Sequence, residues 1–255
     1  MPNNPRIVFF GSSRFSEYVL DELKNADYFP ILDITSSKVP LPTVEELKAL
    51  KPDIFVVASF GKILPKEILE IPAHGSLNVH PSLLPELRGP APIQNIILGK
   101  GLPGVTIIKM DEEMDHGPIL AQEAVSISPF PNHYDVVEET LARAGGKLLA
   151  DLIPSWIEGD IEAVPQDDTK ATFIKLIKKE DGLVDLAASA EENWRKVLAY
   201  STWPGAHIFF KRKTGEDIRL VIKDATIENG VFTPLRVVPA GKKEMDWESF
   251  LRGNA

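Results

Sequence analysis

Short apolar runs alternate with helix-like stretches through the first hundred residues, and this alternation restricts the possible folds more than any other feature. Four runs have the length and the β-branched or aromatic content of strands. They are RIVFF (residues 6–10), ILDIT (31–35), DIFVVASF (53–60) and SLNVH (76–80). The stretches FSEYVLDEL (15–23), TVEELKAL (43–50) and PIQNIIL (92–98) have helical character. Such alternation predicts an α/β fold with a doubly wound, mostly parallel, Rossmann-like sheet.

The sheet is predicted to continue with two closely spaced strands, GVTIIKM (104–110) and PILAQEAVSI (118–127). Because the connection between them is short, we expect one of the two to be antiparallel, at an edge of the sheet. A long helix is predicted over residues 134–153, where apolar residues recur at helical spacing.

The pattern changes after Gly159, where a polar, aperiodic segment has the character of a linker. Beyond it, Ser189 followed by Glu192 has the spacing of a capping box and predicts the start of a helix. Alternating runs at 206–212, 218–227 and 231–238 then predict a small β-rich unit, which we expect to form an OB-like barrel. We therefore expect a catalytic domain over residues 1–164, a linker over 165–182 and a small C-terminal β domain over 183–255.

Composition excludes several classes of chemistry. The chain has no Cys, so disulfides, thiolate catalysis and Cys-ligated metals are excluded. It has neither an apolar run long enough for a membrane span nor a secretion signal, and we expect a cytoplasmic monomer that has no membrane partner. Net charge is −11 over residues 1–206 but +2 over residues 207–255. This asymmetry fits either an ordinary acidic enzyme or a small module that presents cations to an anionic partner.

Asn78 and His80 lie two residues apart in the predicted strand SLNVH, so they share one face of it. Central parallel strands are normally apolar on both faces, and polar groups near a strand's carboxyl end are typical of a ligand site. Alternatively, both side chains face solvent, or His80 is a structural histidine with satisfied hydrogen bonds. The strand pattern alone does not decide between these interpretations.

The segment MDEEMDHGPI (110–119) follows a predicted strand and holds four carboxylates and one His. Asp115 is the strongest functional candidate because Gly117 and Pro118 predict a sharp turn directly after it. His116 could orient a neighbour or bind a ligand, and a solvated acidic turn is the alternative. No His or Cys spacing indicates a zinc site, and we expect no metal.

Gly11, Ser12 and Ser13 join the first strand to the first helix, where doubly wound folds often bind phosphate. A single Gly is not a dinucleotide fingerprint, and a serine here could simply cap the helix.

Together, Asn78, His80 and Asp115 suit acyl transfer without a covalent enzyme intermediate. An external amine would attack a carbonyl directly, neutral and titrating donors would hold the tetrahedral oxyanion, and a carboxylate would take the proton. No serine lies in a nucleophile elbow, which favours direct transfer.

SLNVHPSLLPELRG (76–89) with GVTIIKMDEEMDHGPIL (104–120) resembles the folate-dependent formyltransferases. The resemblance implies 10-formyltetrahydrofolate as the formyl donor, Asn78 and His80 as oxyanion donors, and Asp115 as the residue that keeps His80 protonated and relays the proton. It also implies a folate-binding wall in which the backbone of residues 58–65 takes part. The implied folate-binding residues are Phe60, Lys62, Ile63, Leu64, Ser82, Leu83, Leu84, Pro85, Met110, Glu113 and Met114.

The remaining chain is similar to the branch of the family that formylates methionyl initiator tRNA, in segments such as TWPGAHIFF (202–210) and PAGKKEMDWESFLRG (239–253). This similarity implies a role in translation initiation with initiator methionyl-tRNA as partner. The expected substrate-binding residues are Gly11, Ser12, Ser13, Arg88, Lys211, Arg212, Lys213, Lys242 and Lys243. Arg88 could instead brace its loop, and the five C-terminal cations could be ordinary solvated side chains.

One departure from the family is the short path from residue 35 to the next helix, where a long basic insertion is usual. It leaves open an amino-sugar nucleotide as the acceptor with the same folate donor. A folate- or RNA-binding module without catalysis is the third possibility.

Overall fold

The computed structural model describes residues 4–254. Its larger sheet contains β1 (Ile7–Gly11), β2 (Leu32–Ile34), β3 (Ile54–Ala58), β4 (Ser76–His80), β5 (Gly104–Lys109) and β6 (Ile119–Ala124). The accompanying helices are α1 (Arg14–Asn25), α2 (Val44–Ala49), α3 (Lys66–Leu69), α4 (Pro92–Ile97) and α5 (Tyr134–Glu158). The sheet order is β2-β1-β3-β4-β5-β6. The predicted α/β fold with a mostly parallel sheet is confirmed.

The first four strands in this order are parallel, whereas β5 is antiparallel to both β4 and β6. An antiparallel strand is therefore present as expected, but it lies one position inside the edge and not at it. Because β5 runs against β4, its last residue Lys109 pairs with Leu77 near the start of β4. The chain must then turn back before β6, and this turn carries Asp115.

Helix α1 forms where the sequence predicts it because its first turn is capped and one of its faces is apolar. Ser13 Oγ accepts a hydrogen bond from the N–H of Ser16 at 3.3 Å, and Ser16 Oγ accepts one from the N–H of Ser13 at 3.0 Å. Such caps stabilise a helix by about 1 kcal/mol. The apolar side chains that α1 buries are Phe15, Val19, Leu20 and Leu23.

The two faces of β4 have different neighbours. A Cβ placed at Gly145 of α5 would lie 2.5 Å from the Val79 side chain, so α5 packs closely on the face of β4 that carries Leu77 and Val79. Asn78 and His80 point to the opposite face. Helix α5 therefore covers the face of β4 that does not carry the polar pair.

The core of this sheet surrounds β1 and β3, which are buried along their whole length, as central parallel strands usually are. Phe10 forms edge-on ring contacts with Phe55 and Phe60, with centroids 5.2 and 5.5 Å apart. These contacts place the Phe60 side chain inside the core.

The C-terminal part forms a second, antiparallel sheet of β7 (His207–Lys211), β8 (Asp217–Glu228), β9 (Val231–Pro239) and β10 (Met245–Asp246), in the order β10-β9-β8-β7. It is accompanied by α6 (Ala190–Ala199) and α7 (Trp247–Asn254). Ser189 caps α6 by accepting a hydrogen bond from the N–H of Glu192 at 3.1 Å, at the position predicted from sequence. A cluster of Phe210, Trp247 and Phe250 rings closes the small core.

The chain divides into two compact units. One contains residues up to Pro92 together with Gly101–Ser126 and Glu138–Ile174, and the other contains Ile93–Lys100, Ile127–Val137 and the residues from Lys175 onward. The domain boundaries predicted from sequence, at 164/165 and 182/183, stay a prediction. None of the helices within residues 4–254 is long and apolar enough to cross a membrane.

Candidate active site

Strand β4 carries the polar pair into the interior of its unit. Asn78 is 9% exposed and His80 is 4% exposed, so neither side chain faces solvent. Asn78 pairs with Val57 of β3 and Ile108 of β5, and His80 pairs with Thr106 of β5. The solvent-facing interpretation of this pair is therefore wrong, and the cost of burying two polar groups must be offset by partners.

Asp115 supplies the partner that both residues share. Its Oδ1 lies 3.4 Å from Asn78 Nδ2 and 3.4 Å from His80 Nδ1. Its Oδ2 accepts a hydrogen bond from the backbone N–H of Gly89 at 2.8 Å. One carboxylate oxygen is thus fixed by the backbone, and the other faces the two side chains of β4. The two distances of 3.4 Å are at the long end of the range for hydrogen bonds.

The ionisation of Asp115 follows from these neighbours. Burial by itself raises the pKa of the carboxyl, but the adjacent His80, the N–H of Gly89 and the charge of Arg88 outweigh it. The pKa of Asp115 is therefore held below its usual range, and the group is a carboxylate at neutral pH.

His80 has an acceptor at each ring nitrogen. Nδ1 faces Asp115, and Nε2 lies 3.1 Å from the carbonyl oxygen of Leu87. Only a ring that carries two N–H groups can donate to both acceptors. His80 is therefore a histidine with satisfied hydrogen bonds, as the structural interpretation states. In addition, it shares the Asp115 carboxylate, a group that can accept a proton, with Asn78.

The turn that holds Asp115 has unusual backbone geometry. Asp115 itself has a φ of 53°, in the left-handed region that favours Gly. A Cβ at Gly117 would overlap the carbonyl oxygen of Lys109, so only Gly fits there. His116 turns away from the site and donates to Asp111 through Nδ1 at 2.6 Å, a hydrogen bond that raises the pKa of His116. His116 orients part of the turn and lies outside the Asn78–His80–Asp115 cluster.

Arg88 is engaged within the fold. It is 4% exposed, and its guanidinium donates to Gln166 Oε1 at 2.9 and 3.0 Å and to Asp168 Oδ1 at 2.8 Å. Its backbone N–H donates to the carbonyl of Thr172 at 2.9 Å. These contacts favour the bracing role over the substrate-binding role, which stays a prediction. The Arg88 partners Gln166 and Asp168 lie in the segment that the sequence predicts to be a linker.

The segment predicted to line the folate contains both core and surface side chains. Phe60 and Leu64 are buried core residues, so only their backbone could meet a ligand, whereas Ile63 is 80% exposed. Lys62 Nζ donates to the carbonyl of Val39 at 2.8 Å. A folate-binding role for these four residues stays a prediction.

The loop after β4 is firmly anchored. Ser82 Oγ donates to the carbonyl of Glu86 at 2.7 Å, and Thr106 Oγ1 donates to the carbonyl of Ser82 at 2.6 Å. Gln122 Nε2 donates to the carbonyl of Leu84 at 2.8 Å. Thr106 and Gln122, which the sequence did not single out, therefore fix the backbone of a predicted folate wall.

The other predicted wall residues differ in their surroundings. Leu83 packs against Gly104, where a Cβ would overlap it, and Leu84 is buried. Met110 packs against the main core, while Glu113 and Met114 are exposed on the turn. Pro85 accepts a hydrogen bond from the N–H of Thr172 at 3.2 Å through its carbonyl. Their folate-binding role stays a prediction.

The loop after β1 serves structural purposes. Ser13 caps α1, as the alternative interpretation proposed, and Ser12 Oγ donates to the carbonyl of Phe60 at 2.5 Å. A Cβ at Gly11 would overlap the side chains of Ser16 and Phe9, so no larger residue fits there. Substrate binding by these three residues stays a prediction.

The C-terminal cations lie at one end of the second sheet. Lys211 ends β7 opposite Asp217 of β8, and the turn after β9 begins at Ala240, whose N–H donates to the carbonyl of Arg219. Because β8 and β9 are neighbours in the sheet, the two turns lie side by side at this end of it. The cations in these turns are Lys211, Arg212, Lys213, Lys242 and Lys243. Arg212 is paired with Glu216 at 3.5 Å, and the phosphate-binding role of the set stays a prediction.

Comparison with known proteins identifies the family of this chain. The family described as "Formyl transferase" matches residues 33–153, and "Formyl transferase, C-terminal domain" matches residues 176–234. Methionyl-tRNA formyltransferase of Chloroflexus aggregans is 37% identical over 265 residues, covering 91% of this chain and 84% of the relative. The chain belongs to the methionyl-tRNA formyltransferase family. The family resemblance drawn from sequence is confirmed.

Solved structures share the fold of this family member. Methionyl-tRNA formyltransferase from Clostridium thermocellum superposes with a TM-score of 0.70 at 21% identity, covering 92% of this chain and 98% of that one. HypX from Aquifex aeolicus in complex with tetrahydrofolic acid superposes with a TM-score of 0.74 at 18% identity, covering 98% of this chain and 47% of that one. A sugar N-formyltransferase from Shewanella superposes with a TM-score of 0.65 at 19% identity, covering 89% of this chain and 100% of that one.

Proposed function

We propose that this chain transfers the formyl group of 10-formyltetrahydrofolate to the free amine of methionyl initiator tRNA. Membership of the methionyl-tRNA formyltransferase family supports the identity of both substrates. The observation that carries the chemistry is the convergence of Asn78 Nδ2 and His80 Nδ1 on one oxygen of Asp115, inside a buried site. Two N–H donors beside one carboxylate form the set that formyl transfer to an amine requires.

The folate, when bound, supplies an activated formyl carbonyl. Asn78 and His80 are the N–H donors of the site, and they would hold the negative charge that develops on the formyl oxygen as the amine attacks. Both lie on β4, which is buried along its whole length. Removal of one such donor typically lowers turnover by about 100- to 1000-fold.

Asp115 is the proton acceptor of the proposed reaction. As the amine nitrogen bonds to the formyl carbon, it must lose a proton, and the bond from that carbon to the folate nitrogen must break as the folate nitrogen takes up a proton. Asp115 is ionised at neutral pH because its pKa lies below the usual range, so it can accept this proton directly or through water. It also orients His80 through Nδ1.

The cations at the end of the second sheet would contact tRNA phosphates. Lysines and arginines in two neighbouring turns can neutralise several phosphates without reading sequence. The amino-sugar alternative is favoured by a different observation, the short connection of nine residues between β2 and α2, where no basic insertion lies. The acceptor must therefore be tested directly.

A first experiment tests the site. Asn78→Ala and His80→Ala should each lower kcat by about 100-fold or more. His74→Ala is the matched control, because His74 precedes the strand and has no place in the proposed machinery. A loss below about threefold for both site variants would refute the assignment of Asn78 and His80.

A second experiment tests the acceptor. Initiator tRNA charged with methionine competes with a panel of amino-sugar nucleotides for the formyl group, at two salt concentrations. Transfer to tRNA should dominate and weaken steeply with salt, because counterions are released on binding. Preferential transfer to a sugar would establish the alternative acceptor, and tetrahydrofolate binding without any product would instead indicate a binding protein.

A further inference from the structure

Gln166 connects the two segments that enclose the Asp115 carboxylate. Its Nε2 donates to the carbonyl of Asp115 and to the carbonyl of Gly117, both at 2.8 Å. Its Oε1 accepts two hydrogen bonds from the Arg88 guanidinium, at 2.9 and 3.0 Å. All the polar atoms of this amide are therefore used, with the donors on the turn and the acceptor on the loop after β4.

The partners fix the orientation of the amide. If the amide were rotated by half a turn, its NH₂ group would face the Arg88 guanidinium, which can only donate, and its oxygen would face two carbonyl oxygens. One orientation is thus strongly preferred. Arg88 is itself held by Asp168 and by the backbone of Thr172 and Ile174, so Gln166 joins the turn to a well-anchored residue.

The turn needs such a support. Asp115 has a left-handed backbone conformation that costs free energy for a residue with a side chain, and such conformations persist only where surrounding contacts enforce them. The two carbonyls that Gln166 binds belong to Asp115 and Gly117, on either side of His116. The amide therefore bridges the strained Asp115 and the residue after it, His116. The Gly89 N–H, next to Arg88, meets the Asp115 carboxylate from the other side.

We infer that Gln166 is a positioning residue for Asp115, which holds the carboxylate at the distance from Asn78 and His80 that proton transfer requires. The inference rests on the proposed function for the reaction itself, but its geometric content is independent of the acceptor. Gln166 does not touch substrate; it acts through the backbone of the turn and through Arg88. A displacement of about 1 Å in a catalytic group can lower the rate about 100-fold.

Charged groups around Asp115 define a second readout. His80 faces the carboxylate from β4, and Arg88 faces it from the loop after β4, while Asp168 lies between Arg88 and His116. If the turn shifts, Asp115 moves away from His80 and from the Gly89 N–H but stays buried. Its titration should then move to higher pH, because two of the influences that lower its pKa are weakened while burial still raises it.

The decisive variant is Gln166→Glu. Glutamate has the same length and can still accept from Arg88, but it cannot donate to the carbonyls of Asp115 and Gly117. We expect kcat to fall by about 10- to 100-fold while KM for both substrates changes less than about threefold. The ¹³C NMR titration of the Asp115 carboxyl, which needs no activity, should move to higher pH. Glu162→Gln, an exposed position in the same segment, is the control.

Each result bears on the inference. Unchanged kcat, or a fall in kcat without any movement of the Asp115 titration, would overturn it. If Gln166→Glu does not fold, Gln166→Asn is used instead, since its shorter side chain cannot reach both carbonyls and Arg88 together. If the wild-type protein transfers no formyl group, the proposed function fails, while the NMR titration still decides whether Gln166 positions Asp115.

Discussion

Replacement of Asp115 by Asn tests the proposed chemistry with almost no change of shape. The Asn side chain can keep the hydrogen bond from Gly89, which is 2.8 Å long in the wild-type protein, through its oxygen. Its NH₂ group must then face Asn78 Nδ2 and His80 Nδ1, which are also donors. The variant therefore loses the proton acceptor and creates two donor–donor contacts.

The size of both effects can be worked from these contacts. Loss of a positioned acid–base group lowers turnover by about 100- to 10,000-fold. A hydrogen bond to a charged group stabilises a protein by about 1.5–3 kcal/mol, and the Asp115 side chain is only 15% exposed, so solvent screens it little. We expect the unfolding free energy of Asp115→Asn to fall by a similar amount.

The assay is single-turnover formyl transfer to charged tRNA, together with urea unfolding at pH 7. Asp111→Asn is the matched control, because Asp111 lies on the same turn but pairs with His116. The control should keep turnover within about threefold. A variant Asp115→Asn that retains a third of the wild-type rate would refute the role of Asp115 as proton acceptor, whatever its stability.

Three further predictions concern stability. Because the pKa of Asp115 is lowered in the folded state, its contribution to stability is present above the unfolded pKa of about 3.9 and is lost as pH falls below it. In urea titrations the gap in unfolding free energy between wild type and Asp115→Asn should therefore narrow progressively as pH falls below about 4 and through the lower folded pKa, and a constant gap would contradict this. Gly117→Ala, whose Cβ would overlap the Lys109 carbonyl, should distort the turn and lower both kcat and thermal stability, and a variant with normal values of both would show that the turn can relax. Thr106→Val removes a buried hydroxyl that donates to the Ser82 carbonyl and should lower the unfolding free energy by about 1–3 kcal/mol, which chemical denaturation would measure; an unchanged value would mean that the loop finds another donor.

The sequence alone was sufficient to predict those features of the fold and site that depend on local periodicity. Strand alternation placed Asn78 and His80 on one face, because the side-chain period of a strand does not depend on the rest of the fold. The turn after Asp115 was predictable from Gly117 and Pro118, and the structure adds that a Cβ at Gly117 would overlap the Lys109 carbonyl. Capping by Ser13 and Ser189 followed from local spacing in the same way.

The rest depended on distant partners. Phe60 lies in a segment predicted to line the folate, yet its ring is in the core because Phe10 and Phe55 come from neighbouring strands. Gln166 lies in a polar, aperiodic segment, and its importance comes from Arg88, which is 78 residues earlier in the chain. Neither relation leaves a periodic signal that a single sequence would reveal.

Because β5 runs antiparallel to β4, the register of the hydrogen bonds between these two strands affects the geometry of the proposed reaction. Asn78 and His80 lie on β4, and Asp115 lies on the turn that follows β5. The pairing of His80 with Thr106 and of Leu77 with Lys109 therefore determines the distance between Asp115 and the two donors. A slip by one residue would turn the donors to the face that α5 occupies. Substitutions of buried apolar residues in β5 can therefore alter turnover, and a screen for catalytic effects in this family member should include Ile107 and Ile108.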